Sequence, residues 1–338
     1  MLGQGLNTFP EAARHVDRTG SISRFSNRSS IEFDGTDDYL EATLSSDPFN
    51  HAAGTISLWA NQDARGGIAY FQAYNSSNHA ANKLAITNQG ITGTVLDGIT
   101  GIDGLFFQYT STLDGTKRAQ TCQAMESDAY HGHGHTRKQN SYRTAGGSGW
   151  GNDHVAIRTT ANLTDGNWQH IVASWDTTET FTPVKATSTS AYVTASELTG
   201  AMRIYVNGAL KNHGQSTLPA SNNTIAATGN MFAMDGATLD RIRIGSSGSG
   251  GSDMDGHVSH VGIWNTRLTD AQVTAIYNSG VPTDLRYASG NYLGGAVHGL
   301  IGYWTMQENT GTTVYDRSSN NNHLTLNNNA AFSTSVTP

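Results

Sequence analysis

The chain has 338 residues, 14% of them charged and 38 of them glycine, with a formal net charge of -7, the profile of one large, loop-rich β-protein with appendages. No long basic cluster is present to meet a phosphate backbone, Arg137, Lys138 and Arg143 being too few, so nucleic acid is excluded as a partner. No apolar run approaches the roughly 20 residues that cross a bilayer, and the lone cysteine, Cys122, forms no internal disulfide, so a packed core, helped at most by a bound ion, must hold the fold.

The opening stretch MLGQGLNTFPEAARHVDRTG has no basic region followed by an apolar one, which predicts a chain neither exported nor set in a membrane. Residues 1–30 read as an N-terminal arm for assembly or anchoring, and strand text begins at Ile31. In IEFDGTDDYLEA, Ile31 and Phe33 share a face, Asp34 and Gly35 turn the chain, and Tyr39-Leu40 resumes a strand. TISLWA alternates, sending Ile56, Leu58 and Ala60 inward and leaving Thr55, Ser57 and Trp59 on the outer face. Ile171, Ala173 and Trp175 share a face in HIVASW, as do Met202, Ile204 and Val206 in MRIYVNGAL, where Asn207-Gly208 supplies a hairpin turn. RIRIG from Arg241, and HVSHVGIW after a Gly/Ser-rich loop at 246–252, add later strands.

The spacing predicts one short helix, capped by Thr269 with Gln272 completing a capping box, stapled by Leu268 onto Val273, and stopped by Gly280 and Pro282. Val273, Ile276 and Tyr277 form its apolar stripe. GLIGYW at 299–304 and a last strand near His323–Leu326 follow. The fold expected is all-β: a two-sheet antiparallel sandwich over residues 31–280 with a long insertion at about 110–162, and a C-terminal extension, 281–338, that returns to it.

Catalytic constellations are missing from the text. Cleaving a glycosidic bond needs two carboxylates held about 5–10 Å apart across a cleft. The nearest approaches are Glu32, Asp34 and Asp37 around a turn, and Glu126 with Asp128 in the insertion. Cys122 has no base near it in sequence and no Gly-x-Ser-x-Gly elbow occurs, so the expectation is a protein that is not an enzyme. HGHGH places His131, His133 and His135 on one side of an extended segment, as a transition-metal site requires, although a solvated glycine-rich loop accounts for the same string. Trp59, Tyr130, Tyr142 and Trp150 are candidate glycan contacts, since sugar rings stack on aromatic faces; ordinary packing is the competing explanation for each.

The order of these pieces resembles the laminin-G-like jelly roll of the concanavalin A-like lectin and glucanase superfamily over roughly Ile31 to Gly280. Its most specific parts are DGNWQHIVASWD, the YVNG hairpin and MDGHVSHVGIWNTRLTDAQVTAIYNSG. The tail GLIGYWTMQENTGTTVYDRSSNNNHLTL is similar to a phrase that accompanies such domains in phage virion proteins. The resemblance implies a jelly-roll sandwich in which Trp168, Trp175 and Trp264 are structural, and calcium near the opening FDG-type turn, with Asp37 and Asp38 as first ligands and Asp255 as a third. Against this stands the simpler role of Asp34, Asp37 and Asp38 as turn formers whose carboxylates accept local backbone amides. At Ser259-His260 the chain departs from the family, which often has an acidic residue there, so no metal ligand is assigned to that position. By the same resemblance, the function expected is a non-enzymatic virion structural protein, a capsid decoration or tail- or fibre-associated protein, presenting a lectin-like sandwich for adhesion. It would be assembled in the host cytoplasm into a virion surface, in multiple copies or as a homo-oligomer, with other virion proteins and host-surface glycans as partners and no membrane or nucleic acid. The alternatives are a free carbohydrate-binding adhesin and, behind it, a polysaccharide-cleaving glycoside hydrolase of the same fold.

Overall fold

A computed structural model describes residues 27–64, 68–77, 83–88, 166–176, 202–210 and 238–337, Leu163 and Thr178, and the strand backbones at 15–16, 22–23, 104–113, 116–126, 143–144, 158–159, 180–181 and 229–230. The period of two read from the sequence builds two large sheets. One has eight strands, in the order Ala209–Leu210, Met202–Val206, Gln169–Asp176, Ala53–Gln62, Asp255–Trp264, Ser30–Asp34 and Ala331–Ser333, with Leu300–Trp304 also paired to Asp255–Trp264. The other has ten and is centred on Lys83–Asn88, Ile68–Tyr74, Arg241–Ile244, Tyr39–Thr43 and Leu324–Asn327. All pairings in the two sheets are antiparallel except the short Arg158–Thr159 strand, which runs parallel to Thr116–Glu126.

The inner faces meet in one core. Ile31 and Phe33, Leu40, Ile56, Leu58, Ile171, Ala173, Trp175, Ile204 and Val206 all belong to it, as their alternation requires, together with Ile242 and Ile244 from the facing sheet. Full burial of a large apolar side chain is worth about 1.5–3 kcal/mol, so this cluster is the main source of stability. The Asn207-Gly208 turn has both residues at positive φ, 52° and 74°, the twist that a two-residue hairpin needs. On the solvent face of the ten-stranded sheet, Glu41 takes a 2.6 Å ion pair from Arg243, whose guanidinium also lies 4.0 Å from the centre of the Tyr39 ring.

One sequence expectation gains detail here and two need correction. The stretch assigned to an insertion from about 110 begins as sheet: Gly104–Leu113 and Thr116–Glu126 form a long hairpin that continues the ten-stranded sheet. In Gly104–Leu113 an apolar alternation is carried by Leu105 and Phe107, both in the core, whereas Thr116–Glu126 is rich in Thr and Gln and has no large apolar residue before Met125. The helix, Asp270–Tyr277, has the predicted capping box, but it ends at Asn278 in the left-handed conformation, ahead of Gly280. Thirdly, the strand Ala53–Gln62 is not half-buried, since Thr55, Ser57 and Trp59 are as buried as their inward neighbours.

The cause of that last difference is a third layer. Val172, Tyr205 and Trp264 project from the outer face of the eight-stranded sheet into a second core with Leu268, Val273 and Ile276 of the helix region and Leu285, Tyr292 and Ala296 beyond it. Trp264 donates its indole N–H to the Tyr292 hydroxyl at 2.9 Å. The C-terminal extension is likewise part of the sandwich: Leu324–Asn327 pairs with Tyr39–Thr43, and Ala331–Ser333 pairs with the opening strand. The buried Asp316 carboxylate ties it down by accepting the backbone N–H groups of Tyr303, Ser318 and Asn322 at 2.8–3.0 Å.

Candidate functional site

The turn between the opening strand and Tyr39–Thr43 gathers three carboxylates. One oxygen from each of Asp34, Asp37 and Asp38 lies within 4.8 Å of the others, with Asp34 and Asp37 exposed and Asp38 buried. Asp38 braces the turn: its Oδ2 accepts the Asp34 backbone N–H at 3.0 Å, and its Oδ1 accepts that of Asn329 at 2.7 Å, joining the turn to the link between the last two strands. Asp34 Oδ1 accepts the Thr36 amide at 2.9 Å. Burial, followed by the repulsion of Asp34 and Asp37, holds the Asp38 carboxyl above its ordinary 3.8.

Asp255 sits directly across the strand pair from Asp34, and its Cβ would lie 2.9 Å from a side chain built on Gly35, which explains the glycine in the turn. Its carboxylate is outside the 4.8 Å group, so the triad here is Asp34, Asp37 and Asp38, with Asp34 in the place where the sequence suggested Asp255. The hard oxygens of Asp34 and Asp37 that are not spent on the turn are of the chemistry a calcium ion takes. Both readings of the turn therefore find material here: Asp38 is a turn former, and its two exposed neighbours carry donors to spare.

Trp59 projects outward as predicted, yet only 3% of it is exposed. The helix covers it: Trp59, His170 and Tyr277 pack ring on ring, with centroids 4.8–5.9 Å apart. A ring in that position has no free face for a sugar, so Trp59 is corrected to a packing residue. His170 Nε2 is 2.8 Å from Ser57 Oγ, and its burial pulls its pKa down to about 3, so the imidazole is neutral. Tyr130, Tyr142, Trp150, His131, His133 and His135 lie outside the described residues. Trp175 and Trp264 are core residues, as expected, while Trp168 is half-buried beside His257. At the position where the family pattern is broken, Ser259 Oγ lies 2.6 Å from His260 Nδ1 inside a β-bulge in which His260 has φ 48°. Both side chains are buried.

Where the last turn of the helix meets the Asn207-Gly208 hairpin and the Ser289-Gly290 turn, a shallow groove of about 400 Å³ opens. Tyr277, the half-buried end of the aromatic stack, lines it. Sequence reading placed Tyr277 in the buried stripe of the helix and missed the groove. The only available signal was the pairing of YVNG with a helix ending in YNSG.

No protein-family model and no curated protein matches the sequence. Among solved structures, a Bacteroides ovatus protein described as a candidate carbohydrate binder aligns with 92% of this chain and 61% of its own length, at 14% identity and a TM-score of 0.46. The heptameric SAP-like pentraxin of Limulus polyphemus covers 74% of this chain and 82% of its own, at 15% identity and 0.35. The CBM40 of the Ruminococcus gnavus IT-sialidase covers 75% and 98%, at 12% identity and 0.38. The chain thus spans about three fifths of the first of these, 61%. The two facing antiparallel sheets, joined in the order described, make the fold the two-sheet β-sandwich that the sequence predicts.

Proposed function

We infer that this chain is a non-enzymatic recognition module: a lectin-like sandwich that binds glycans, displayed in multiple copies on the surface of a particle such as a phage virion, with calcium bracing its acidic turn. The observation that carries the reading is the closure of the eight-stranded sheet on both faces, by the core on one side and the helix layer on the other. With no cleft between two facing acids among the described residues, contact with other molecules falls to turns and loops, as in binding domains. The acids that do cluster sit around one turn rather than across a cleft, and the buried one, Asp38, is engaged by two backbone amides. The phage-like tail phrase supports the virion setting, and host-surface glycans are the partners that such a setting calls for.

The experiment is a glycan array probed with the full chain. Reproducible binding to a defined set of polysaccharides is expected, with no release of reducing ends on prolonged incubation. An array without any bound glycan would end the recognition reading, and reducing-end release would end the non-enzymatic one.

The calcium brace has its own test, whose sign follows from Asp38. Between 3.8 and the raised value in the fold, the folded state binds more protons than the unfolded state, so stability falls as pH rises through that window in metal-free buffer. A bound cation favours the ionised carboxylate and reverses the slope. Calcium at neutral pH should therefore raise the melting temperature of the wild type by several degrees and leave Asp38→Asn nearly unmoved. Equal melting temperatures for the wild type in calcium and in chelator would show that the turn holds no ion.

A further inference from the structure

We propose that the groove at the C-terminal end of the helix is the saccharide site, and that it takes a neutral sugar unit without the help of calcium. The inference rests on the glycan-binding reading above and gives that reading a location. The groove is about 400 Å³, inside the range of roughly 300–1,000 Å³ typical of small-ligand sites. No charged side chain lines it; its polar groups come from Ser279 and Ser289 and from Asn207, Thr274 and Asn278, which also hydrogen-bond within the protein and are held in place by those bonds. Such a lining suits a ligand that offers hydroxyls rather than a carboxylate or phosphate.

Tyr277 supplies the aromatic element of the site. It is held rigidly, its ring nearly parallel to His170 at 19° and to Trp59 at 21°, so little side-chain entropy is lost when a ligand settles on it. Gly208 makes room at the wall: a Cβ there would come within 2.8 Å of Tyr277 Cδ1. Around the same groove, Asn207, Asn278 and Ser279 all have positive φ, 52°, 47° and 56°. The first belongs to the hairpin turn and the other two to the exit of the helix, so the rim is built from two tight turns whose backbone course is fixed. The groove lies away from the acidic turn, since three strands separate Met202–Val206 from Ser30–Asp34 in the eight-stranded sheet.

Two variants of the full chain test the assignment on an array of neutral and sialylated oligosaccharides, in chelator. Ala209→Trp fills the groove from an exposed lining position and leaves the core untouched; Tyr277→Ala removes the platform. Wild type should bind neutral glycans in chelator, both variants should weaken that binding at least about tenfold, and Asp37→Asn should not change it. Should Tyr277→Ala fail to fold, Ala209→Trp decides alone. Undiminished binding by folded Ala209→Trp, or binding confined to sialylated glycans, would overturn the groove while the recognition reading stands. An array on which the wild type binds nothing overturns both.

Discussion

Acidification from neutral pH to about pH 4.5 should cost the folded state several kilocalories per mole, because two imidazoles are buried in their neutral form. Burial lowers His170 to about 3 and, against a weaker opposing pull from Asp284, His260 to about 3 as well. An unfolded histidine takes up its proton near 6.5, so between those values the unfolded state binds more protons and stability falls with falling pH. The slope is about 1.4 kcal/mol per pH unit for each ring, hence about 5 kcal/mol for the two at about pH 4.5. Against a total stability of about 5–15 kcal/mol this is decisive. His170 packs against Trp59 and Tyr277, so its protonation acts directly under the helix layer, beside the proposed groove. His170→Phe keeps a ring in the stack and should remove about half of the loss. Urea midpoints that do not differ between pH 7 and about pH 4.5 would contradict neutral burial of both rings.

Gly256→Ala is the substitution with the largest expected penalty. Gly256 has φ 133°, and a Cβ placed there would lie 2.1 Å from the Asn61 carbonyl oxygen and 3.0 Å from Gln62 Cα. Those atoms belong to the neighbouring strand, with which Gly256 is in register at Gln62 and which is itself paired on its other side to Gln169–Asp176. Backbone held in two ladders cannot withdraw, so strain and clash add to about 3 kcal/mol or more. Gly250→Ala is the control: its φ is 75° but nothing lies within 4 Å of a new Cβ, leaving only the left-handed strain of about 1–2 kcal/mol. Denaturant titration of the two variants separates the contributions, and equal losses would show that the carbonyl contact does not matter. Gly256 also follows Asp255, opposite Asp34, so the same change should disturb the acidic turn.

Legibility divided along physical lines. Ile31, Phe33, Ile56, Leu58, Ile171 and Trp175 alternate with neighbours of different character, and each entered the core as its place in the alternation demanded. The capping box of Thr269 and Gln272 and the Asn207-Gly208 hairpin were readable because they are local: the hydrogen bonds and dihedrals involved span only a few residues. The hairpin of Gly104–Leu113 and Thr116–Glu126 was not: Leu105 and Phe107 alternate into the core, but Thr116–Glu126 has no large apolar residue before Met125 and takes its place from pairing with the strand before it. The acidic turn was half legible. Asp37 and Asp38 stood out in the text, but the choice of Asp34 over Asp255 as their companion depends on distances between carboxylates on two paired strands, which only the fold sets.

Trp59 illustrates the limit most directly. From alternation alone it had to point outward, and it does; what lies outside is a helix more than two hundred positions later in the chain, and no local rule connects the two. The sequence by itself determined which faces of the strands are apolar, where the turns and the helix cap fall, and that no acid pair marks a catalytic strand. Only the tertiary structure decided that one sheet is covered on both sides, that Tyr277 ends an aromatic stack at a groove, and that the last strand, Ala331–Ser333, pairs with the opening one. The reason is that alternation is encoded between neighbours, whereas what covers a face is settled by contacts between segments far apart in the chain, whose free energy no single segment carries.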